Sequence, residues 1–402
     1  MNKNRLVTLI DTHARSIIWF LIGLVLFAGA VYAFLLGDKL RYIDEQDYFT
    51  LAENLIWFRA FTTDGIHPAA FRPPGYPFLL AALRALGAPI FVLRMLNFLA
   101  LAGIMLLLQR LTLRLFQSRS ISVIAAALPL CYPVLFYTAG ALYPQIIGAF
   151  LLLLVLLFVA QAPATLAGIL MAGVALSWLI LIIPAMAFVL PVFAVWLLRQ
   201  QHNRWHNAVL LVVIGLLLPV AWSVRNRLVF GEWVFVSANS GFNLFLGNSG
   251  GATPNSGANT PRGDLDVQTA ILDDVQRDRA FREASLRWIS NNPTHAASLY
   301  VQKVINHFNY RNELVTQVES STTNDIIMLT TFYPLLVLSL ARLLLMRRWP
   351  MTSTEWIVVV IYVLGAITTA IFFTRIRFRL PFDVLLFIMV SGLLAQTKKA
   401  RA

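Results

Sequence analysis

About ten apolar runs, each long enough to cross the roughly 30 Å hydrocarbon layer of a bilayer, constrain this chain more than any other feature. They fall near 17–36, 90–108, 120–137, 144–160, 164–179, 181–198, 208–224, 326–346, 356–373 and 380–396. A backbone inside hydrocarbon has no water to bond and closes its own hydrogen bonds as helix. Apolar residues fill 58% of the 402 positions and charged residues 13%, too little polar surface to cover a soluble core. The expected fold is an all-α polytopic membrane protein of about ten transmembrane helices, with interfacial helices in the first outer loop and a small outer helical cap. Pro184 and Pro191 interrupt the stretch 164–198, which leaves room for a re-entrant pair there. The organisation expected is an N-terminal membrane domain (1–224) with its first outer loop at 37–89, an outer cap (225–325) and C-terminal membrane helices (326–402).

Orientation follows from lysines and arginines beside the spans, which are retained on the cytoplasmic side. Such clusters are Lys3, Arg5 and Arg15; Arg110, Arg114 and Arg119; Arg199 and Arg204; Arg347 and Arg348; and Lys398, Lys399 and Arg401. Alternating crossings put all of them on one face, with both termini. Of 19 acidic residues only Asp11 and Glu355 share it. The net charge of +13 is thus accounted for by a basic, lipid-facing rim and needs no nucleic acid. The first apolar stretch exceeds the 7–15 residues of a signal core, so 1–36 reads as an anchored span. Cys131 is the single cysteine and sits in an apolar run, where it is expected to pack as a small hydrophobe.

The first outer loop carries the densest chemistry. Asp44-Glu45-Gln46-Asp47 opens a stretch in which Tyr48, Leu51, Ala52, Leu55 and Ile56 recur at helical spacing, the pattern of an amphipathic helix lying along the interface. Carboxylates at a helix N-terminus can be mere caps. A cap needs one acid, and this segment offers three. Arg72-Pro73-Pro74-Gly75-Tyr76-Pro77 follows, a stiff turn presenting one guanidinium. Carboxylates beside an arginine at a membrane surface are parts able to deprotonate an acceptor and grip a phosphate. His67 has no neighbours at metal-ligand spacing.

The second polar segment runs over 225–325. It opens on the Gly- and Asn-rich stretch 237–248, continues as a loop to Gly263, and is expected to form a helix over 264–291 with Val267, Ile271 and Val275 on one face, ended by Pro293. No Walker loop, zinc spacing, dinucleotide fingerprint or internal repeat is present.

Several of these motifs resemble one family. Asp44 to Leu55 followed by Arg72-Pro73-Pro74-Gly75-Tyr76-Pro77 is similar to the first periplasmic loop of the C-type superfamily of polyprenyl-phosphate-sugar glycosyltransferases, in particular the protein mannosyltransferase and lipid A aminoarabinose transferase branch. Ala221-Trp222-Ser223-Val224-Arg225-Asn226, Phe230-Gly231 and Ser240 to Asn248 resemble the segment that leaves the membrane in those proteins, and Arg377-Phe378-Arg379-Leu380-Pro381 resembles the arginine-rich turn before their last span. Two positions depart from the pattern. Tyr143-Pro144-Gln145 stands where many relatives carry an acid, and Ser177-Trp178 where they carry Thr-Arg, which puts metal dependence in doubt and leaves room for a divergent or inactive member.

The resemblance implies inverting transfer of a sugar from an undecaprenyl-type donor to a hydroxyl on a lipid, glycan or protein, at the outer face of a bacterial inner membrane. Implied roles are Asp44 as base with Asp47 in support, and Arg72, Arg225, Arg377 and Arg379 on the donor phosphate. Glu45, Tyr76, Asn226, Asn243 and Asn248 are possible supporting residues. No cofactor is certain and a divalent metal is possible, with no metal ligand assigned. Arg375, Arg377 and Arg379 taken singly can equally be residues snorkelling at a span end. Two other readings stand beside this one. A transporter or flippase of lipid-linked intermediates would call for intramembrane acids, of which Asp383 is the one candidate, and an oligosaccharide ligase or polymerase would not require Asp44.

Overall fold

In a computed structural model, which describes residues 3–160, 165–200, 205–311 and 321–400, the chain is built of helices. The extended pairing among the described residues is a single bridge, Thr62 to Pro68. Arg204 and Arg401 lie outside the described residues, as do parts of the expected run from 164 and of the expected cap at 225–325.

Helix α1 (Lys3–Leu36) leads into the short surface helices α2 (Ile43–Trp57) and α3 (Gly75–Ala85). The membrane helices then run as α4 (Ile90–Phe116), α5 (Arg119–Ala127), α6 (Pro133–Ala139), α7 (Gln145–Val159), α8 (Leu166–Ile182), α9 (Val189–Gln200) and α10 (Trp205–Phe230). The segment between α10 and α15, called the cap below, holds α11 (Ser240–Gly247), α12 (Asp264–Gln268), α13 (Asp274–Asn291) and α14 (Pro293–Asn306). The chain closes with α15 (Thr322–Leu344), α16 (Ser353–Ile371) and α17 (Ile376–Lys399).

All ten apolar runs carry helix, but by length and apolarity six qualify as spans, or seven if the bent α5–α6 pair is one crossing. The remaining three, Gln145–Val159, Leu166–Ile182 and Pro184–Gln200, are shorter. A helix of 15 residues such as α7 rises only about 22 Å, less than the hydrocarbon thickness. Proline sets the limits: Pro144 precedes α7, and Pro184 ends the helical run begun by α8 with a 3-10 turn.

Helix α17 is the central post. In its apolar window 89% of residues are buried, against 28% in α1, α10 and α15. It packs on α4, α5, α7, α15 and α16, so the residues of its first turn are carried by a helix held on several sides. The opposite end is held to the α4–α5 turn by Lys398, whose Nζ donates to Ser118 Oγ (3.2 Å) and Ser120 Oγ (2.9 Å).

Three expectations are corrected here. The helix expected over 264–291 is two helices, because Asp273 caps α13 by accepting from the N–H of Val275 and Gln276. Val275 is buried while Val267 and Ile271 are exposed, so the three share no face. The arginine-rich turn at 377–379 is the first turn of α17. Cys131 is exposed at the 65° bend between α5 and α6, not packed.

Candidate active site

The N-terminus of α2 divides its three acids by task. Glu45, 1% exposed, is the cap: its Oε2 accepts from the N–H of Arg41 (2.8 Å) and Tyr42 (3.2 Å), and its Oε1 from the N–H of Leu142 (2.7 Å). One carboxylate therefore both starts the helix and ties it to the turn before α7. Asp44 and Asp47, three residues apart on neighbouring faces of the helix, are left for other partners.

Those partners come from the Arg72 loop. Arg72 Nη2 lies 2.5 Å from Asp44 Oδ1 and 2.7 Å from Asp47 Oδ2, and its Nε donates to Asp47 Oδ2 at 2.9 Å. The loop is stiff because Pro73 and Pro74 fix φ, and Gly75 lets α3 lie on α8, where a Cβ would stand 2.8 Å from the Leu181 carbonyl carbon. It is also braced from outside. Asp274, at the start of α13, accepts from the N–H of Ala70 (2.7 Å) and Phe71 (2.9 Å); Ala238 N–H donates to Ala70 O; Arg225 Nη1 donates to Ala69 O (3.1 Å).

Arg377, at the start of α17, completes the group. Its Nη1 is 2.5 Å from Asp44 Oδ2 and 3.4 Å from Tyr143 Oη. Both oxygens of Asp44 thus face guanidinium. Burial pushes the Asp44 carboxyl up, but Arg377 and Arg72 outweigh it and hold it below the usual carboxylate range, so it is ionised. The side chains stay accessible, 19% exposed at Asp44 and 16% at Arg72, so an incoming anion can reach them. Beneath them Tyr48 meets Tyr76 edge-on at 5.4 Å, and burial pushes the Tyr48 hydroxyl up to about 12.

The other sequence-nominated residues lie elsewhere. Arg379 sits two positions past Arg377 on the same helix, about 200° round it, and turns inward to Asp383 (3.0 Å) and the carbonyls of His307 and Asn309. Tyr132 and Tyr362 donate to the same Asp383, so this intramembrane acid is fully engaged. Arg225 lies over the Trp222 ring (4.7 Å) and touches the Arg72 loop, not Asp44. Asn226 is buried, donating to the carbonyls of Val234 and Val236. Asn248 bonds Leu244 O, Ile371 O and Lys303 Nζ, and Asn243 lies part-buried within α11. Tyr76 Oη is bonded by Asn97. Gln145 is buried, its Oε1 without a partner among the described residues, and Ser177 Oγ accepts from the N–H of Leu218. His67 bonds Asp64 at the surface.

Sequence reasoning missed Asp274, Tyr143 and the cap's hold on the Arg72 loop; contacts across some 200 positions leave no local signal. It also gave Glu45 no capping role, although its position three residues after Tyr42 is the spacing of a capping box. Among the described residues no group of three His, Cys, Asp or Glu side chains converges to hold a metal ion. The one arginine shared by Asp44 and Asp47 occupies the place a cation would take between them.

No family model and no curated protein matches the chain. Among solved structures the chain is similar to the crystal structure of ArnT from Cupriavidus metallidurans bound to undecaprenyl phosphate, at 15% identity and a TM-score of 0.42 over 94% of this chain and 78% of that one. It is similar also to the same protein in the apo state, at 13% identity and a TM-score of 0.43 over 94% and 77%. Likeness at that level assigns no residue a role, so the chemistry rests on the geometry above.

Proposed function

We propose that the chain transfers a sugar from an undecaprenyl-type polyprenyl phosphate to an acceptor hydroxyl, inverting the anomeric carbon. The observation that carries this reading is Asp44 held between Arg72 and Arg377, with Asp47 sharing Arg72. Two carboxylates and two guanidiniums balance in charge, so the resting site is closed on itself. A donor phosphate offers each planar guanidinium two oxygens to grip at once and frees Asp44 to act.

In the step itself the acceptor oxygen bonds the anomeric carbon as the bond from that carbon to the phosphate oxygen breaks. The phosphate keeps the electron pair and gains negative charge, which Arg72 and Arg377 stabilise. The acceptor proton passes to Asp44 as general base. Asp47 keeps Arg72 oriented between the carboxylates. Arg225 and Asp274 act through the loop they brace and are positioning residues. Lys398, at the end of α17 opposite Arg377, bonds Ser118 and Ser120 beside Arg119 at the α4–α5 turn, and basic span ends on the side away from Asp44 support an active site on the outer face of a bacterial inner membrane.

The test is Asp44→Asn in a purified transfer assay with a polyprenyl-phosphate sugar. General-base catalysis is worth roughly 10²–10⁴-fold, so turnover should drop by at least the lower figure while the donor still binds. Turnover within threefold of the wild type would remove Asp44 from the chemistry.

A further inference from the structure

The outer ends of α1, α4 and α6 frame a second polar site, on the other side of the stacked rings of Tyr42 and Tyr143 from Arg377. Tyr32, Arg41, Tyr42, Glu45, Arg94 and Tyr137 line a nook wide enough for one water-sized group. The Glu45 carboxylate there is already engaged by three backbone N–H groups. Arg94 is 1% exposed and donates through its Nη atoms to Gly37 O and Lys39 O, but its Nε is buried with no acceptor among the described residues. A buried guanidinium N–H with no acceptor among the described residues suits an anionic oxygen. Arg41 stands exposed at the rim, its guanidinium bonded to Tyr32.

Directly beneath runs an open apolar groove of about 170 Å³, lined by Val25, Leu101, Met105, Leu130, Pro133 and Phe136. The same three elements build both. Val25 is about two turns below Tyr32 on α1, Leu101 about two turns below Arg94 on α4, and Phe136 precedes Tyr137 on α6. The groove lies at the 65° bend between the α5 run and α6, where Pro133 opens the second segment.

We propose that this track holds a membrane phospholipid with an anionic phosphate headgroup: an acyl chain in the groove, one phosphate oxygen on Arg94 Nε, and the rest of the phosphate on Arg41. Cations above an apolar groove select an amphiphile over a free anion. A nook that takes one water-sized group admits a phosphate oxygen and excludes a sugar ring. The headgroup then contacts residues 41–45, the segment that enters α2, and steadies the helix that carries Asp44. This site is separate from the donor site and stands whether or not the transfer reading holds.

The experiment is native mass spectrometry of the full chain in detergent with phosphatidylglycerol, with diacylglycerol of the same chains, and with inorganic phosphate. One phosphatidylglycerol should be retained about tenfold better than diacylglycerol, the equivalent of one charge-assisted hydrogen bond, and phosphate alone should not be retained. Arg41→Gln should lower that preference by about threefold or more, leaving the contact to Arg94, and leave diacylglycerol retention unchanged. Leu130→Trp, which fills the groove from its exposed side, should lower retention of both lipids. Arg110→Gln, an exposed arginine at the other end of α4, should change neither. Equal retention of the two lipids by the wild type, or an Arg41→Gln protein whose preference for phosphatidylglycerol is unchanged, would reduce the site to annular lipid and overturn the proposal. Displacement of the bound lipid by polyprenyl phosphate, together with its loss in Arg72→Lys, would overturn it in favour of a single donor site.

Discussion

Arg377 Nη1 lies 2.5 Å from Asp44 Oδ2 across 333 positions of sequence. The contact joins the first surface helix to the central helix of the bundle, so the candidate site exists only when the last span has docked. Arg72, by contrast, reaches the same carboxylate from 28 positions away on a proline-stiffened loop. One arginine is local and the other global, and together they leave Asp44 without a free oxygen.

Replacing these two arginines by lysine keeps charge and removes the planar fork. Arg72→Lys and Arg377→Lys should each weaken binding of a polyprenyl-phosphate analogue by about tenfold or more, the scale of one lost charge-assisted hydrogen bond. Arg379→Lys should leave that affinity within twofold and lower stability instead, because Arg379 is closed on Asp383 inside the bundle. Titration of the analogue against each variant in nanodiscs at fixed salt separates the two groups. A donor affinity that falls most in Arg379→Lys would move the phosphate site inward.

Glu45→Gln should destabilise the fold by about 1–3 kcal/mol, since an amide cannot replace a carboxylate accepting three backbone N–H groups and is left with a misplaced donor. Because the same side chain fixes where α2 begins, turnover should fall with it while donor affinity, set by Arg72 and Arg377, changes little. Thermal unfolding in detergent and a comparison of kcat with donor Kd check both halves.

What the sequence shows of this site is what lies close along the chain. Acids at a helix start and a proline-bound arginine 25 residues on can be read from composition and spacing, and so can ten apolar runs. Whether a run is a full crossing depends on where prolines and caps cut it, and this shortens α7, α8 and the Pro184–Gln200 segment. The pair Arg377 and Arg379 reads as one cluster on paper. Once the turn is helix, about 100° per residue sends one to Asp44 and the other to Asp383. Arg225 is legible as a boundary arginine, but its hold on Ala69 O belongs to tertiary structure.

Lys303 is fully buried where the cap meets α16 and α17, its Nζ donating to Gly247 O (3.0 Å), Asn248 Oδ1 (2.9 Å) and Phe372 O (2.9 Å). Burial pushes its pKa down to about 7, while three acceptors favour the ammonium. Lys303→Met fits the volume and strands those acceptors, each at a cost of about 1–3 kcal/mol. The cap should loosen before the bundle does. Limited proteolysis should cut residues 248–263 faster in the variant, with the unfolding temperature of the whole lowered; equal cutting rates would mean that the lysine does not latch the cap.

The pH dependence of the reaction should carry the mark of the two arginines. With the donor absent, Arg377 and Arg72 hold the Asp44 carboxyl below its ordinary range. Its folded pKa is depressed, so the stability it contributes is present above the unfolded carboxyl pKa and is lost as pH falls through the folded one. Asp44→Asn removes that component, and the difference in unfolding temperature between wild type and variant should shrink on acidification toward pH 3. When a donor phosphate takes the arginines, burial is no longer opposed and the carboxyl rises. The acidic limb of kcat, which reports the bound complex, should therefore lie at higher pH than the acidic limb of kcat/KM, which reports the free protein. Arg377→Lys should narrow the gap between the limbs by weakening the hold on the free carboxylate. Limbs that coincide in the wild type would mean that Asp44 keeps its arginine partners throughout, and the acceptor proton would then have to leave by another route.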